Sequence, residues 1–368
     1  MDVLLRNEKK EVYSKEITIS GSKSESNRLL ILQYLYKGLS ILNLSDSDDT
    51  IHMEHALKSK EPTIDIGHAG TAMRFLTAFF ATQENVIKVL KGSERMHERP
   101  IAILVNALRD LGATIAYVDK NGYPPLKITG KRILKKDVAI HGNVSSQYIS
   151  ALMLIAPTLP EGLIIKLIGK VTSVPYIKMT LSLLNQLGIK GTFEGTTIII
   201  KPLNELQTNR IVVESDWSSA SYWYSIIAFG QIGDSVTLSA YKEQSLQGDS
   251  CLSHIYEHFG VQTRYREGRI HIKKVRHSSK DRLDLNLKNA PDIAQTIAVT
   301  CFGLQIPCHL TGLHTLKIKE TDRLEALKKE LTKLGGEIKV TDESLSLYVT
   351  DKIRTEISVE TYNDHRMA

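Results

Sequence analysis

An α/β fold assembled from repeated units is predicted by three observations. Four segments share one plan: helix end, glycine, strand, tight turn, strand. The glycines that mark them, Gly112, Gly188, Gly260 and Gly335, stand 76, 72 and 75 residues apart. Between the copies lie strongly apolar helix patterns, the mark of helices buried in a domain interior.

The four segments are "ALRDLGATIAYVDKNGYPPLKITG", "LLNQLGIKGTFEGTTIIIKP", "IYEHFGVQTRYREGRIHIKK" and "ELTKLGGEIKVTDESLSLYVT". Each glycine closes a helical pattern at the place where a left-handed residue ends a helix. The two runs that follow alternate apolar and polar residues, as hairpin strands do. Their turns fall at Asn121-Gly122, Glu194-Gly195, Glu267-Gly268 and Asp342-Glu343. The period is too long for a common solenoid repeat. It implies a unit with more than one helix and several strands. Chance hairpins account for one copy and poorly for four. The intervening helices include "TAMRFLTAFFATQ", "SSQYISALMLIAPTL" and "WSSASYWYSIIAFG".

Totals bound the function. The 368 residues are 42% hydrophobic and 24% charged, the balance of an ordinary globular protein, and suggest roughly two or three domains. The net charge is +6, but Lys and Arg are spread along the chain and aromatics make up 6%. Without a basic block or a stacking platform, nucleic acid is not the expected partner. No run of about 18 apolar residues is present, so no membrane span is expected. The N-terminus lacks a signal-peptide layout. Cys251, Cys301 and Cys308 form neither a CxxC pair nor a disulfide framework, which fits a reduced cytoplasmic protein. His52 and His55 are three apart on a helical pattern, but no third ligand is nearby, and no metal is expected.

The stretch "TISGSKSESNRLLIL" raises a question of charge. Ser22 and Glu25 fit a capping box. Lys23 and Arg28 do not, because a helix N-terminus is already positive. Cations there make sense if an anion binds. A plain capped helix and an anion site remain equally open on this segment alone. It is not a P-loop, since Ser22 stands where glycine must precede the lysine.

Similar polar clusters open the other apolar helices. They are Gly70, Thr71 and Arg74; Arg95 and Arg99; Ser145, Ser146 and Gln147; Ser173 and Tyr176; Glu214, Asp216 and Ser218; Asp292; Lys319, Glu320, Asp322 and Arg323; and Asp364, His365 and Arg366. Singly, each reads as a cap or a solvated charge. Together, if the helix starts converge, they make a positive cleft for a substrate with more than one phosphate or carboxylate. Asp292 and Glu320 among such cations are candidates for proton transfer.

The motifs "GSKSESNR", "HAGTAMR", "RMHERPI", "SSQYISAL", "SVPYIKMT", "APDIAQTIA", "KETDRL" and "NDHRMA" occur in this order. By them the chain resembles the 5-enolpyruvylshikimate-3-phosphate synthases, of the enolpyruvyl transferase fold, from about residue 18 to its last residue. The resemblance implies two similar domains of βαβαββ units with the active site in the cleft between them. It places an inserted domain at 21–213 and a discontinuous one at 1–20 plus 214–368, its last unit incomplete, because family members continue past "NDHRMA". Hinges are expected near Ser20–Gly21 and Val213–Glu214, with an open ligand-free form in which a self-repelling cationic cleft awaits anions.

The implied reaction joins shikimate 3-phosphate and phosphoenolpyruvate and releases phosphate, without a cofactor, on the route to chorismate and the aromatic amino acids. A monomer is expected. Carried over by motif, Lys23 touches both substrates. Ser24, Arg28, Ser145, Ser146, Gln147, Ser173, Tyr176, Asp292, Thr315 and Lys319 fall to shikimate 3-phosphate. Gly70, Arg99, Gln147, Arg323 and Arg366 fall to phosphoenolpyruvate. Lys23, Asp292 and Glu320 fall to catalysis. Three departures stand out: His68 replaces an asparagine before Ala-Gly-Thr, Thr315 replaces an asparagine of the shikimate 3-phosphate site, and Phe75 replaces a proline. The rival readings are the sister enzyme acting on UDP-N-acetylglucosamine, whose loop cysteine is absent from "KVLKGSERMHERPI", and a non-catalytic binder of shikimate 3-phosphate.

Overall fold

The computed structural model describes residues 13–143, 145–171, 174–350, 352–364 and 366–367. It holds four four-stranded sheets of identical plan. In each, a strand pairs parallel with a second, the second pairs antiparallel with a fourth, and the fourth closes a hairpin with the third. One sheet runs Thr63–Asp65, Ile87–Lys91, Leu126–Thr129, Thr114–Tyr117. The next runs Asp137–His141, Leu163–Ile168, Thr197–Ile200, Gly191–Glu194. The third runs Ser14–Ile17, Ser235–Ser239, Arg269–Lys274, Val261–Arg266. The fourth runs Leu283–Asn286, Cys308–Thr311, Ser344–Tyr348, Glu337–Val340. A parallel pair, Ser40–Leu42 with Arg210–Val212, adds the start of a fifth.

The repeat glycines have the same cause in each copy. Gly112, Gly188, Gly260 and Gly335 have φ between +76° and +106°, a conformation that a side chain disfavours. Each turns the chain from a helix into the hairpin.

The chain forms two compact units: Ser20–Asp216 with Leu246–Gly248, and Met1–Ile19 with Trp217–Ser245 and Asp249–Ala368. Beyond the expected bounds 21–213, the first of these units also takes in Ser20, Glu214–Asp216 and the three residues Leu246–Gly248. Gln247 explains their place, since its buried amide donates to Glu25 Oε1 and to the Ser215 carbonyl.

In the first unit, three central helices pack together: Lys23–Leu35, Gly70–Ala81 and Ser146–Ile155. All twelve residues of Gly70–Ala81 are buried. The second unit centres on Trp217–Phe229 and Ala294–Leu304, joined by buried hydroxyl pairs, Ser221 with Thr296 and Ser225 with Thr300, each at 2.8 Å. Their outer face leaves Ile226 49%, Phe229 47% and Val299 41% exposed. Among the described residues no helix is long and apolar enough to cross a membrane.

Candidate functional site

The capping-box reading of Ser22 and Glu25 does not hold. Ser22 is the N-cap of Lys23–Leu35 but makes no side-chain cap bond. A bridge between Gly21 and Ser215 sets Glu214 beside the helix start, and the Ser22 amide donates to the Glu214 carbonyl. The Glu25 carboxylate is thereby diverted to the Glu214 N–H and to Gln247. The start of this helix, with Lys23 as its first residue, is where an anion would meet both the helix dipole and a cation.

Six expected residues lie at helix starts and loops of the first unit: Lys23, Gly70, Arg99, Ser145, Ser146 and Gln147. Gly70 opens its helix against Arg99: a Cβ built on Gly70 would lie 2.5 Å from Arg99 Nη1. Gln147 Nε2 donates to Thr71 Oγ1 at 3.1 Å, which brings the Ser145–Ser146 helix start to the same place. Ser145 caps that helix, accepting from the Gln147 amide. Lys23 Nζ lies 3.3 Å from Asp49 Oδ1. Arg99's guanidinium forms no hydrogen bond or ion pair among the described residues, so it is available to a ligand carboxylate or phosphate. Arg95, four residues earlier, is spent on a surface pair with Glu98 at 2.7 Å.

Arg74, which sequence reasoning left without a role, holds this corner together. Its buried guanidinium donates to the Gly70 carbonyl at 3.0 Å and the Pro100 carbonyl at 3.4 Å. Burial pushes its pKa down to about 10, and the charge of Arg99 adds to the effect. Two neighbouring guanidiniums give the corner a positive field suited to an anion.

Arg28 is less open than expected. It is 2% exposed, and it donates to Thr180 Oγ1 at 2.7 Å, Ser150 Oγ at 3.0 Å and the Ser24 carbonyl at 2.7 Å. The rings of Phe75 and Tyr176 lie 5.3 and 5.9 Å from its guanidinium carbon. Burial lowers its pKa to about 10, opposed by Tyr176 and Glu25. Arg28 therefore fixes helices and presents Ser24 and Tyr176, besides any ligand contact. Ser173 lies outside the described residues.

Asp292, Lys319, Glu320 and the backbone of Arg366 meet in the second unit around Arg323, which is 2% exposed. Asp292 Oδ1 receives Arg323 Nη1 at 3.0 Å and Lys319 Nζ at 3.2 Å. Glu320 Oε2 receives Arg323 Nη2 at 2.9 Å. Asp364, its side chain wholly buried, takes Arg323 Nε at 2.8 Å and Nη2 at 3.0 Å. Burial opposes the charge on Arg323, but the bonds to Asp364 and the charges of Asp292 and Glu320 raise its pKa. The Arg366 amide donates to Asp364 Oδ1. Thr315 Oγ1 is buried without a partner among the described residues. Within each unit several of these cations have carboxylate partners: Lys23 is paired with Asp49, Lys319 with Asp292, and Arg323 with Asp292, Glu320 and Asp364. Asp49 was missed, with the acidic run "SDSDD" as the available signal, and Asp364 was singled out in its cluster but given no role.

The family described as EPSP synthase (3-phosphoshikimate 1-carboxyvinyltransferase) matches residues 57–368. The chain belongs to the EPSP synthase family. A 3-phosphoshikimate 1-carboxyvinyltransferase of Bacteroides fragilis (strain YCH46) is 44% identical over 355 residues, covering 96% of this chain and 86% of that relative. One from Haemophilus influenzae (strain Rd) is 36% identical, covering 96% and 88%. A solved EPSP synthase structure from Acinetobacter baumannii superposes with a TM-score of 0.75 at 20% identity, covering 97% of this chain and 87% of that one. The two-unit α/β architecture is the family's fold.

Proposed function

We propose that this chain transfers the enolpyruvyl group of phosphoenolpyruvate to the 5-hydroxyl of shikimate 3-phosphate and releases phosphate. The observation that carries this is the 44% identity to a 3-phosphoshikimate 1-carboxyvinyltransferase over 96% of the chain. The reading extends to a monomeric enzyme of the cytoplasm whose domains correspond to the two compact units.

The chemistry is addition followed by elimination. A proton adds to the methylene carbon of phosphoenolpyruvate, and the adjacent carbon becomes electrophilic. The 5-hydroxyl oxygen attacks that carbon and loses its proton, which gives a tetrahedral intermediate. Loss of a methyl proton and of phosphate restores the double bond. In this reading Arg99, Gly70 and Gln147 in one unit and Arg323 and Arg366 in the other receive phosphoenolpyruvate. Ser24, Arg28, Ser145, Ser146, Ser173, Tyr176, Thr315 and Lys319 receive shikimate 3-phosphate. Asp292 takes the hydroxyl proton, and Glu320 with Lys23 handles the carbon proton.

The resting ion pairs support a division of labour. Asp292 holds Lys319 and Arg323 in ion pairs. Substrate anions compete for those same cations. When they bind, they draw those cations from Asp292 and leave its carboxylate oxygens to act on the 5-hydroxyl proton.

The test is phosphate release from phosphoenolpyruvate, with and without shikimate 3-phosphate. Release that requires both substrates is expected. Saturable binding of shikimate 3-phosphate without phosphate release would favour the non-catalytic binder. Release driven by UDP-N-acetylglucosamine would favour the sister enzyme.

A further inference from the structure

His68 stands one residue before Ala69–Gly70, and its Nδ1 lies 2.9 Å from Ser93 Oγ. Ser93 sits at the other side of the corner. Its amide donates to the Gly67 carbonyl at 3.0 Å. Its hydroxyl oxygen accepts from the Met96 amide at 3.3 Å and caps the turn Glu94–His97. The Met96 carbonyl in turn accepts from the Arg99 amide at 3.1 Å. A continuous path of hydrogen bonds therefore runs from His68 through Ser93 and Met96 to Arg99, whose guanidinium lies against Gly70.

Ser93 Oγ accepts from Met96 and keeps both its hydrogen and a second lone pair, so it can donate to His68 Nδ1 or accept from it according to the tautomer. An asparagine at position 68 carries its Oδ1 on the same γ-carbon and offers an equivalent acceptor.

We propose that His68 is a positioning residue for phosphoenolpyruvate, acting through Ser93 to hold Arg99 over Gly70. This rests on the reading of Gly70 and Arg99 as phosphoenolpyruvate contacts. It ties the HAGT turn to the Arg99 segment by a side chain, beside the backbone bond from Ser93 to Gly67. Its loss leaves both segments folded but lets the guanidinium wander.

The experiment measures KM for each substrate, kcat and thermal midpoint for the parent, His68→Ala, His68→Asn, Ser93→Ala, the His68→Ala/Ser93→Ala double variant and Arg99→Ala. The loss of one such hydrogen bond predicts a KM for phosphoenolpyruvate raised roughly three- to ten-fold in His68→Ala and Ser93→Ala. The kcat and the KM for shikimate 3-phosphate stay near the parent, as does the midpoint of His68→Ala, whereas Ser93→Ala also loses the cap on Glu94–His97 and melts somewhat lower. His68→Asn recovers the parent KM, and the double variant is no worse than the weaker-binding single. An Arg99→Ala that raises the phosphoenolpyruvate KM while His68→Ala does not would overturn the role of His68 alone. An Arg99→Ala without effect would overturn the reading beneath it. Equal losses for both substrates, or a lowered midpoint that His68→Asn fails to restore, would make His68 a structural contact only.

Discussion

Gly70→Ala separates folding from recognition at a single atom. The added Cβ would lie 2.5 Å from Arg99 Nη1, 2.8 Å from Nη2 and 2.9 Å from Cζ. Ordinary carbon contacts begin near 3.4 Å, so the guanidinium must retreat by nearly 1 Å. The obstacle is the end of a flexible side chain, not backbone, so the retreat costs the fold little. Gly70 is the first residue of its helix, and alanine there regains up to about 1 kcal/mol of helix propensity. Stability should therefore hold or rise. Recognition should not. A charge-assisted bond from a guanidinium to a carboxylate contributes about 1.5–3 kcal/mol. A displaced Arg99 forfeits most of it, which corresponds to a KM for phosphoenolpyruvate raised roughly 10- to 100-fold. Steady-state kinetics with shikimate 3-phosphate saturating gives that KM, and thermal melting gives the stability. An unchanged phosphoenolpyruvate KM with an unchanged midpoint would sink the assignment of Arg99. A large fall in midpoint would show that the clash is absorbed by the helix.

Three further outcomes follow from the second unit. Asp292→Asn should lower kcat by about 10²–10⁴-fold, while freeing Lys319 and Arg323 for substrate anions, so the phosphoenolpyruvate KM should stay level or fall; a raised KM with normal turnover would refute the proton-transfer role. Asp364→Ala removes two bonds from buried Arg323 and should cost about 3 kcal/mol, partly offset by Asp292 and Glu320; denaturant titration measures it, and a loss under 1 kcal/mol would contradict the network. Burial opposes ionisation of Glu330, but hydrogen bonds from Lys333, Tyr362 and the Glu360 amide hold its pKa below the ordinary 4.5. Its stabilisation is present above about pH 4.5 and is lost as pH falls through the depressed folded value. Glu330→Gln should flatten that acid-side loss in unfolding titrations across this range, and an unchanged profile would remove Glu330 as its source.

The parts of the fold legible in the sequence were those with local causes. A helix end, a left-handed glycine and an alternating hairpin occupy about two dozen consecutive residues, so Gly112 and its three counterparts announced the units. The parallel pairings were not legible. Ser14–Ile17 finds Ser235–Ser239 across 221 residues, and nothing in either run names the other. The site divides the same way. Motif positions such as Lys23, Gly70, Arg99, Asp292 and Glu320 could be named. Which carboxylate sits on which cation depends on side chains that meet only after folding. Arg323 and Asp364, 41 residues apart, are the clearest instance. Arg28 shows the converse: its type suggested a ligand contact, and burial among Thr180 and Ser150 gives it an architectural task as well.

The insertion of one unit within the other bears on the order of folding. Pairing Ser14–Ile17 with Ser235–Ser239 in an otherwise unfolded chain would close a loop of 221 residues. Once Ser20–Asp216 has folded, the Asp216 amide donates to the Ser20 carbonyl at 3.1 Å, and the two ends of the insertion are already neighbours. The loop left to close is then about 20 residues, roughly a tenfold reduction, which lowers the entropic cost by about 2 kcal/mol. The inserted unit is also complete in all but three residues when synthesis has passed Asp216. It can act as a template that delivers the first strand to its partner, so mutations that slow its folding should delay assembly of a sheet they do not touch.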